Sequence, residues 1–72
     1  MIIPNDIKLE QNILGAILID KEIITEVITI IDATDFYDLR HERIFRVCVD
    51  LFTESLNIDL ITVKDRLSRL NF

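Results

Sequence analysis

The most regular apolar pattern in the chain is Ile44, Phe45, Cys48, Leu51 and Phe52, recurring at i, i+1, i+4, i+7 and i+8. That is one face of an α-helix, and it predicts a helix from about Leu39 or His41 to Glu54. Just ahead of it stands Asp35-Phe36-Tyr37-Asp38, followed by the only histidine, His41. An aromatic pair, a short polar link and then a helix predict a corner. Phe36 and Tyr37 anchor one end of it, and the helix carrying Ile44 and Phe45 crosses the middle of the fold.

The same periodicity predicts three further helices. Pro4-Asn5-Asp6 reads as a helix start, with Asn5 or Asp6 capping the first free N–H groups. The helix runs from about Ile7 to Ile19, with Ile13, Leu14, Ile17 and Leu18 on its apolar face. Gly15 lies mid-helix, where glycine costs roughly 1 kcal/mol against alanine, and is expected to mark the close approach of another helix. Asp20 ends that helix and caps the next, predicted over about Lys21 to Ile31. Ile23, Ile24, Val27, Ile28 and Ile31 form its stripe. These residues are β-branched and favour strands, but they come in adjacent pairs rather than alternating, so a helix is expected, weakest from Thr29 to Asp32. Asp32 to Asp35 is a polar link in which Thr34 or Asp35 caps a short turn holding Phe36 and Tyr37. Ser55 to Ile58 is a loop. A last helix starts at Asp59 or Thr62, with Thr62-Val63-Lys64-Asp65 in capping-box form and Leu60, Ile61, Val63, Leu67 and Leu70 facing the core. Its end at Asn71-Phe72 shows no cap.

Composition supports helices. One glycine and one proline among 72 residues leave little material for hairpins. The fold class expected is all-α, a small orthogonal bundle of four main helices forming one domain over residues 1–72. A chain this short buries only about 60% of its unfolded surface, and half of its residues are hydrophobic. Four such helices hold more apolar surface than they can hide from one another, which predicts a truncated domain or one completed by a partner.

Charge narrows the function. The net charge is −5 and the pI about 4.6, with eight basic residues scattered along the chain. Phosphate grip by clustered Lys and Arg and a polybasic membrane anchor are both disfavoured. No stretch reaches the roughly 18 apolar residues of a membrane span, and Met1-Ile2-Ile3-Pro4 lacks a signal peptide's basic region. With a single cysteine, a reducing, cytoplasmic setting is expected, or an organellar stroma if plastid-encoded.

Catalytic chemistry finds no foothold. A P-loop needs paired glycines and Gly-Lys, and Gly15 stands alone before Ala16. Zinc needs four ligands, more than Cys48 and His41 supply. His41 has no serine with a nucleophile elbow to activate; it is expected to pack or to hydrogen-bond a neighbouring carboxylate. Cys48, Phe36, Phe45 and Phe52 are read as core. Asp32, Asp35 and Asp38 are read as caps and link residues, and Asp59, an acid flanked by Ile58 and Leu60-Ile61, as a helix cap, with contact to a neighbouring domain or subunit as the alternative. No catalytic, cofactor-binding or metal site is expected in this segment.

Taken in order, these residues resemble the N-terminal domain of DnaB-type replicative DNA helicases. The resemblance rests on Pro4, on Glu10-Gln11-x-x-Leu14-Gly15-Ala16 running into Leu18-Ile19-Asp20, and on Asp35-Phe36-Tyr37. It continues in His41-x-x-Ile44-Phe45, Leu51, and Ile58-Asp59-Leu60-Ile61-Thr62-Val63 with Leu67. Two departures stand out. Ser55 and Asn57 occupy a loop where the family often has Gly and Pro, and the chain stops before the helical hairpin that completes the family's domain. The resemblance implies a non-catalytic collar module of a ring hexamer, which supports subunit association and primase contact, with a helicase loader as a further partner. It also implies a linker to a RecA-like motor, absent here, that uses ATP and Mg and engages DNA. Asp59 is implied as a candidate for partner or inter-domain contact, and Phe36, Tyr37, His41, Ile44 and Phe45 form the motif core. Two rival expectations are the helicase-binding domain of a primase, against which Met1 ahead of the Pro4 motif speaks, and a stand-alone helix-turn-helix DNA binder using Lys64, Arg66 and Arg69.

Overall fold

A computed structural model of the chain describes residues 5–72. The expectation for Pro4 lies outside the described residues. The fold is all-α. Among the described residues the helices are α1 (Ile7–Ile19), α2 (Ile24–Val27), α3 (Leu39–Thr53) and α4 (Leu60–Arg69), with 3-10 turns at Lys21–Ile23 and Ala33–Asp35. The central helix is α3. It packs against α1, α2, the Ala33–Asp35 turn and α4, so its apolar stripe is the floor on which the other elements lie.

Each helix start has a chemical cause. The Asp6 carboxylate accepts from the Leu9 amide at 3.1 Å and starts α1, leaving Asn5 outside the cap. Asp20 accepts from the Glu22 amide at 3.1 Å, and Asp38 from the Arg40 amide at 2.8 Å, starting α3. At the polar link the cap runs backward: the Asp35 carboxylate accepts from the Asp32 amide at 2.9 Å. The turn there holds Ala33 to Asp35, and Phe36 follows it in extended backbone. The expected turn around Phe36 and Tyr37 is thus displaced by three residues.

The core gathers Leu14 and Ile17 from α1, Ile24 from α2, Ile31, Phe36, then Phe45, Val47, Cys48 and Leu51 from α3, with Ile58 and Val63. The Phe36 and Phe45 rings lie 5.1 Å apart, tilted by 39°, a favourable offset for aromatic pairs. Phe52 is half-buried against this core.

Three expectations are corrected. The second helix does not run from Lys21 to Ile31; it is one 3-10 turn, then one α turn, then hydrogen-bonded turns to Ile31. Its β-branched residues resist helix, and the Thr25 and Thr29 hydroxyls each donate at 2.7 Å to a carbonyl three residues back, of Glu22 and Glu26, an alternative to the α ladder. Gly15 is not a notch for a neighbouring helix: a Cβ there meets nothing within 4 Å. Leu60 and Ile61 do not face the core. They are 69% and 79% exposed, because helical side chains lean toward the N-terminal end and these two lean past the start of α4, while Val63 and Leu67 dock; Leu70, expected on the same face, is 45% exposed at the C-cap.

Both long C-terminal helices end in the same way. After α3, Ser55 takes φ 58°, its amide donates to Phe52 O and the next amide, of Leu56, donates to Leu51 O at 2.9 Å. After α4, Asn71 takes φ 59°, with its amide donating to Ser68 O and Phe72 donating to Leu67 O. These are Schellman motifs, so the α4 end, expected without a cap, is capped by backbone, with Asn71 at the left-handed position that asparagine tolerates.

Candidate functional site

The polar feature at the centre of the molecule is built on Glu10. Its position on α1 is in register with Ile13, Leu14 and Ile17, three, four and seven residues on, so the fold carries the carboxylate inward with the apolar stripe. Glu10 is fully buried. Its Oε2 accepts from the Tyr37 amide at 2.6 Å. Its Oε1 accepts from the Asp38 amide at 3.2 Å and lies 2.8 Å from His41 Nδ1. A carboxylate only accepts hydrogen bonds, so Nδ1 carries the proton in this contact. Burial alone raises the Glu10 carboxyl; the Tyr37 amide, the His41 ring and the Asp38 amide together outweigh it and hold the group below its ordinary value of 4.5. The chemistry is that of a clasp. One carboxylate ties α1 to the corner and to the first turn of α3, satisfying two amides that the corner leaves without backbone partners. Among the described residues every buried side-chain nitrogen or oxygen has a hydrogen-bond partner.

The motif residues fall around this clasp. Phe36 and Phe45 are buried beside it. His41 is buried on the Glu10 side of α3, and Ile44 is half-buried, packed on the core. Tyr37 is different: the residue is 65% exposed and its amide, not its side chain, makes the tie to Glu10. The expectation that both aromatics anchor the corner therefore holds for Phe36 alone. Cys48 is buried within the core, and burial pushes its thiol up to about 11, the behaviour of an inert, hydrophobic cysteine.

Asp59 sits at the start of α4. Its Oδ1 accepts from the Thr62 amide at 2.9 Å, and the Thr62 hydroxyl accepts from the Asp59 amide at 3.0 Å. The capping box is thus Asp59-x-x-Thr62, one turn ahead of the expected Thr62-x-x-Asp65. The Thr62 amide holds the Asp59 carboxyl below the usual carboxylate range. The other oxygen, Oδ2, accepts from Asn57 Nδ2 at 2.8 Å, and Asn57 Oδ1 accepts from Lys21 Nζ at 3.0 Å. A polar chain therefore links the start of the second segment to the start of α4, directly beside exposed Leu60 and Ile61.

Glu10 is the residue that sequence reasoning missed as a site. Its signal was present: a carboxylate at i with apolar residues at i+3, i+4 and i+7, in a chain whose single histidine was expected to pack or to hydrogen-bond a carboxylate. Among the described residues, no His, Cys, Asp or Glu side chains converge in a group of three able to hold a metal ion, and no helix is long and apolar enough to cross a membrane.

Residues 2–72 match the model of the DnaB-like helicase N-terminal domain. The chain is similar to the replicative DNA helicase DnaB of Rhodothermus marinus, 46% identical over 92% of this chain and 7% of that protein. It is also similar to the proteins of the same name from Leifsonia xyli, 34% identical over 93% of this chain and 15% of that protein, and from Mycobacterium leprae, 32% identical over 92% and 11%. This chain therefore spans a small fraction of the length of these relatives. No solved structure matches it. The match covers the buried Glu10, the Phe36 corner, the His41-x-x-Ile44-Phe45 turn and the Asp59 cap, and the chain is a member of the DnaB-like helicase N-terminal domain family.

Proposed function

We propose that the chain serves as the N-terminal collar module of a replicative DNA helicase, organising subunits and receiving primase while performing no chemistry itself. The observation that carries this reading is the family match over residues 2–72, together with relatives named replicative DNA helicase. The exposed pair Leu60 and Ile61 supports a binding role, since apolar side chains grouped beside a fixed polar frame suit a protein contact. In this reading ATP and Mg act at a RecA-like motor elsewhere in the whole protein, which is a cytoplasmic hexamer, meets DNA through that motor, and is served by a helicase loader. Asp59 couples α4 to a neighbouring domain or partner while its cap holds the helix start in place.

The test uses the full-length protein carrying this chain and the primase of the same genome. Asp59→Asn and the double variant Leu60→Ser/Ile61→Ser are compared with wild type for primer synthesis and for ATP turnover. The expected result is a loss in primase stimulation with ATP turnover kept. Unchanged priming in both variants, or equal loss of both activities, removes the reading.

A further inference from the structure

The first turns of α3 and the end of α4 flank an open pocket of about 270 Å³, lined by Arg40, Arg43, Ile44, Leu67 and Phe72. Its apolar walls are accessible: Ile44 and Leu67 are half-buried, and Phe72 is 54% exposed. Arg43 differs from every other arginine of the chain. Four of the five lie within 3.7 Å of a carboxylate: Arg40 at Asp38, Arg46 at Glu42, Arg66 at Glu54 and Arg69 at Asp65. The half-buried Arg43 lies instead over the Phe72 ring, 4.7 Å from its centroid, and makes no side-chain hydrogen bond or ion pair among the described residues. We propose that this pocket receives an acidic, apolar segment of a partner protein. An aliphatic or aromatic side chain of that segment enters between Ile44, Leu67 and Phe72, and the carboxylate beside it is bound by Arg43.

The walls select this occupant. A guanidinium carries five N–H donors and no acceptor. The Phe72 ring offsets part of the cation's charge but gives those donors no oxygen. Three and four residues from Arg43 on α3 stand Leu39, Arg40, Arg46 and Val47, so its own helix face supplies no acid, and no carboxylate lines the pocket. Arg40 is held by Asp38 through Nε and Nη2, at 3.2 and 2.8 Å, which leaves Arg43 as the cation able to take a new partner. A carboxylate matches the guanidinium fork with both oxygens, and Ile44, Leu67 and Phe72 favour an apolar side chain next to it. A nucleic-acid strand fits less well, because phosphate binding draws on several cations along the backbone. The net charge of −5 opposes an acidic segment only at short range, since salt screens it beyond about 8 Å. Leu60 and Ile61 do not line the pocket, so its occupancy is independent of the role proposed for them.

The experiment titrates the isotope-labelled full chain with a short synthetic peptide of Glu, Leu, Phe and Ser in which each apolar residue adjoins a glutamate. The controls are the same peptide with Leu and Phe replaced by Ser, the same peptide with Glu replaced by Lys, and single-stranded oligothymidylate. The expected result is binding of the Glu/Leu/Phe peptide alone, with amide shifts gathered at Arg40, Arg43, Ile44, Leu67 and Phe72. Arg43→Gln is expected to weaken binding by about tenfold or more, as loss of a hydrogen-bonded charge does. Arg46→Gln, which removes an arginine outside the pocket, leaves it within about twofold. Phe72→Ser, which removes an exposed wall without changing charge, weakens it as well, and circular dichroism establishes that each variant is folded. Equal binding of the Ser-substituted peptide, equal weakening by Arg43→Gln and Arg46→Gln, or shifts elsewhere on the surface overturn the proposal. So do tighter binding of the oligothymidylate, which identifies a nucleic-acid site, and pocket shifts that follow protein concentration without peptide, which identify a second copy as the occupant. Binding to this chain but not to the full-length protein that carries it overturns it too, by assigning the pocket to a neighbouring part of that protein.

Discussion

Glu10 shows what one residue does when a helix brings it inward. A buried carboxylate is costly unless its oxygens are satisfied, and here two amides and a ring N–H supply that satisfaction. Removing it leaves the Tyr37 and Asp38 amides without their acceptor. Glu10→Ala is therefore expected to lower stability by about 3 kcal/mol and to speed hydrogen exchange at Tyr37 and Asp38 before the rest of the chain opens. The lowered Glu10 pKa also fixes a direction with pH. Its contribution is in place above the ordinary value of 4.5 and is lost as pH falls through the lowered folded value. Urea unfolding of wild type and Glu10→Gln should differ most near neutral pH, with the gap closing below about pH 4.5. A gap that stays constant down to pH 3 assigns the effect to packing rather than charge. The histidine end of this pair was half legible in the sequence, which left His41 either to pack or to hydrogen-bond a carboxylate. The other end was legible only in part: Glu10 shares the α1 register with Ile13, Leu14 and Ile17, but thirteen acids compete for the role and the packing of α1 against the corner picks one.

Elements record where local preference and packing agree. The α3 helix and most of its stripe were legible: it runs from Leu39 to Thr53 because aromatic and aliphatic side chains recur at its own period, although the fully buried Val47 lies off the expected stripe. The second segment was half legible: its start at Asp20 follows from the cap, but its length was set by threonine hydroxyls and β-branched crowding that a stripe does not reveal. Gly15 and Ser55 are the informative misfits. The open space around Gly15 means that its glycine costs the helix without serving a close approach. Gly15→Ala is expected to stabilise the chain by about 0.5–1 kcal/mol, read as a rise in the urea midpoint at unchanged slope. Ser55 sits in a left-handed conformation that glycine adopts without the steric cost a side chain incurs. Ser55→Gly is expected to stabilise by about 0.5–1 kcal/mol, and the mirror change Ser55→Val to destabilise by more. The resemblance had already noted that a glycine is usual in this loop; the backbone angle gives its reason.

At the scale of the whole molecule, fold class was legible and partner surface was not. Periodicity reports that a residue is apolar and helical, but it does not report whether α4 rolls Leu60 and Ile61 under the core or past its edge; that depends on Val63 and Leu67 docking first. The distribution of charge bears on the DNA-binding alternative in the same structural terms. Arg66 is held by both oxygens of Glu54, at 2.9 and 3.0 Å, and Arg69 lies 3.1 Å from Asp65, leaving Lys64 as the exposed cation of the supposed recognition helix without a basic surface around it. Phosphate binding releases counterions only in proportion to the charges a protein can bring to the backbone, and these arginines are already neutralised within an acidic chain. The full chain is therefore expected to show no measurable affinity for a short duplex by fluorescence anisotropy, even at low salt where any electrostatic contact is strongest. Binding that falls steeply with added salt and disappears in Lys64→Ala/Arg66→Ala would instead place α4 on DNA and displace the collar reading, because the same helix start cannot both lie against a duplex and present Leu60 and Ile61 to a protein partner.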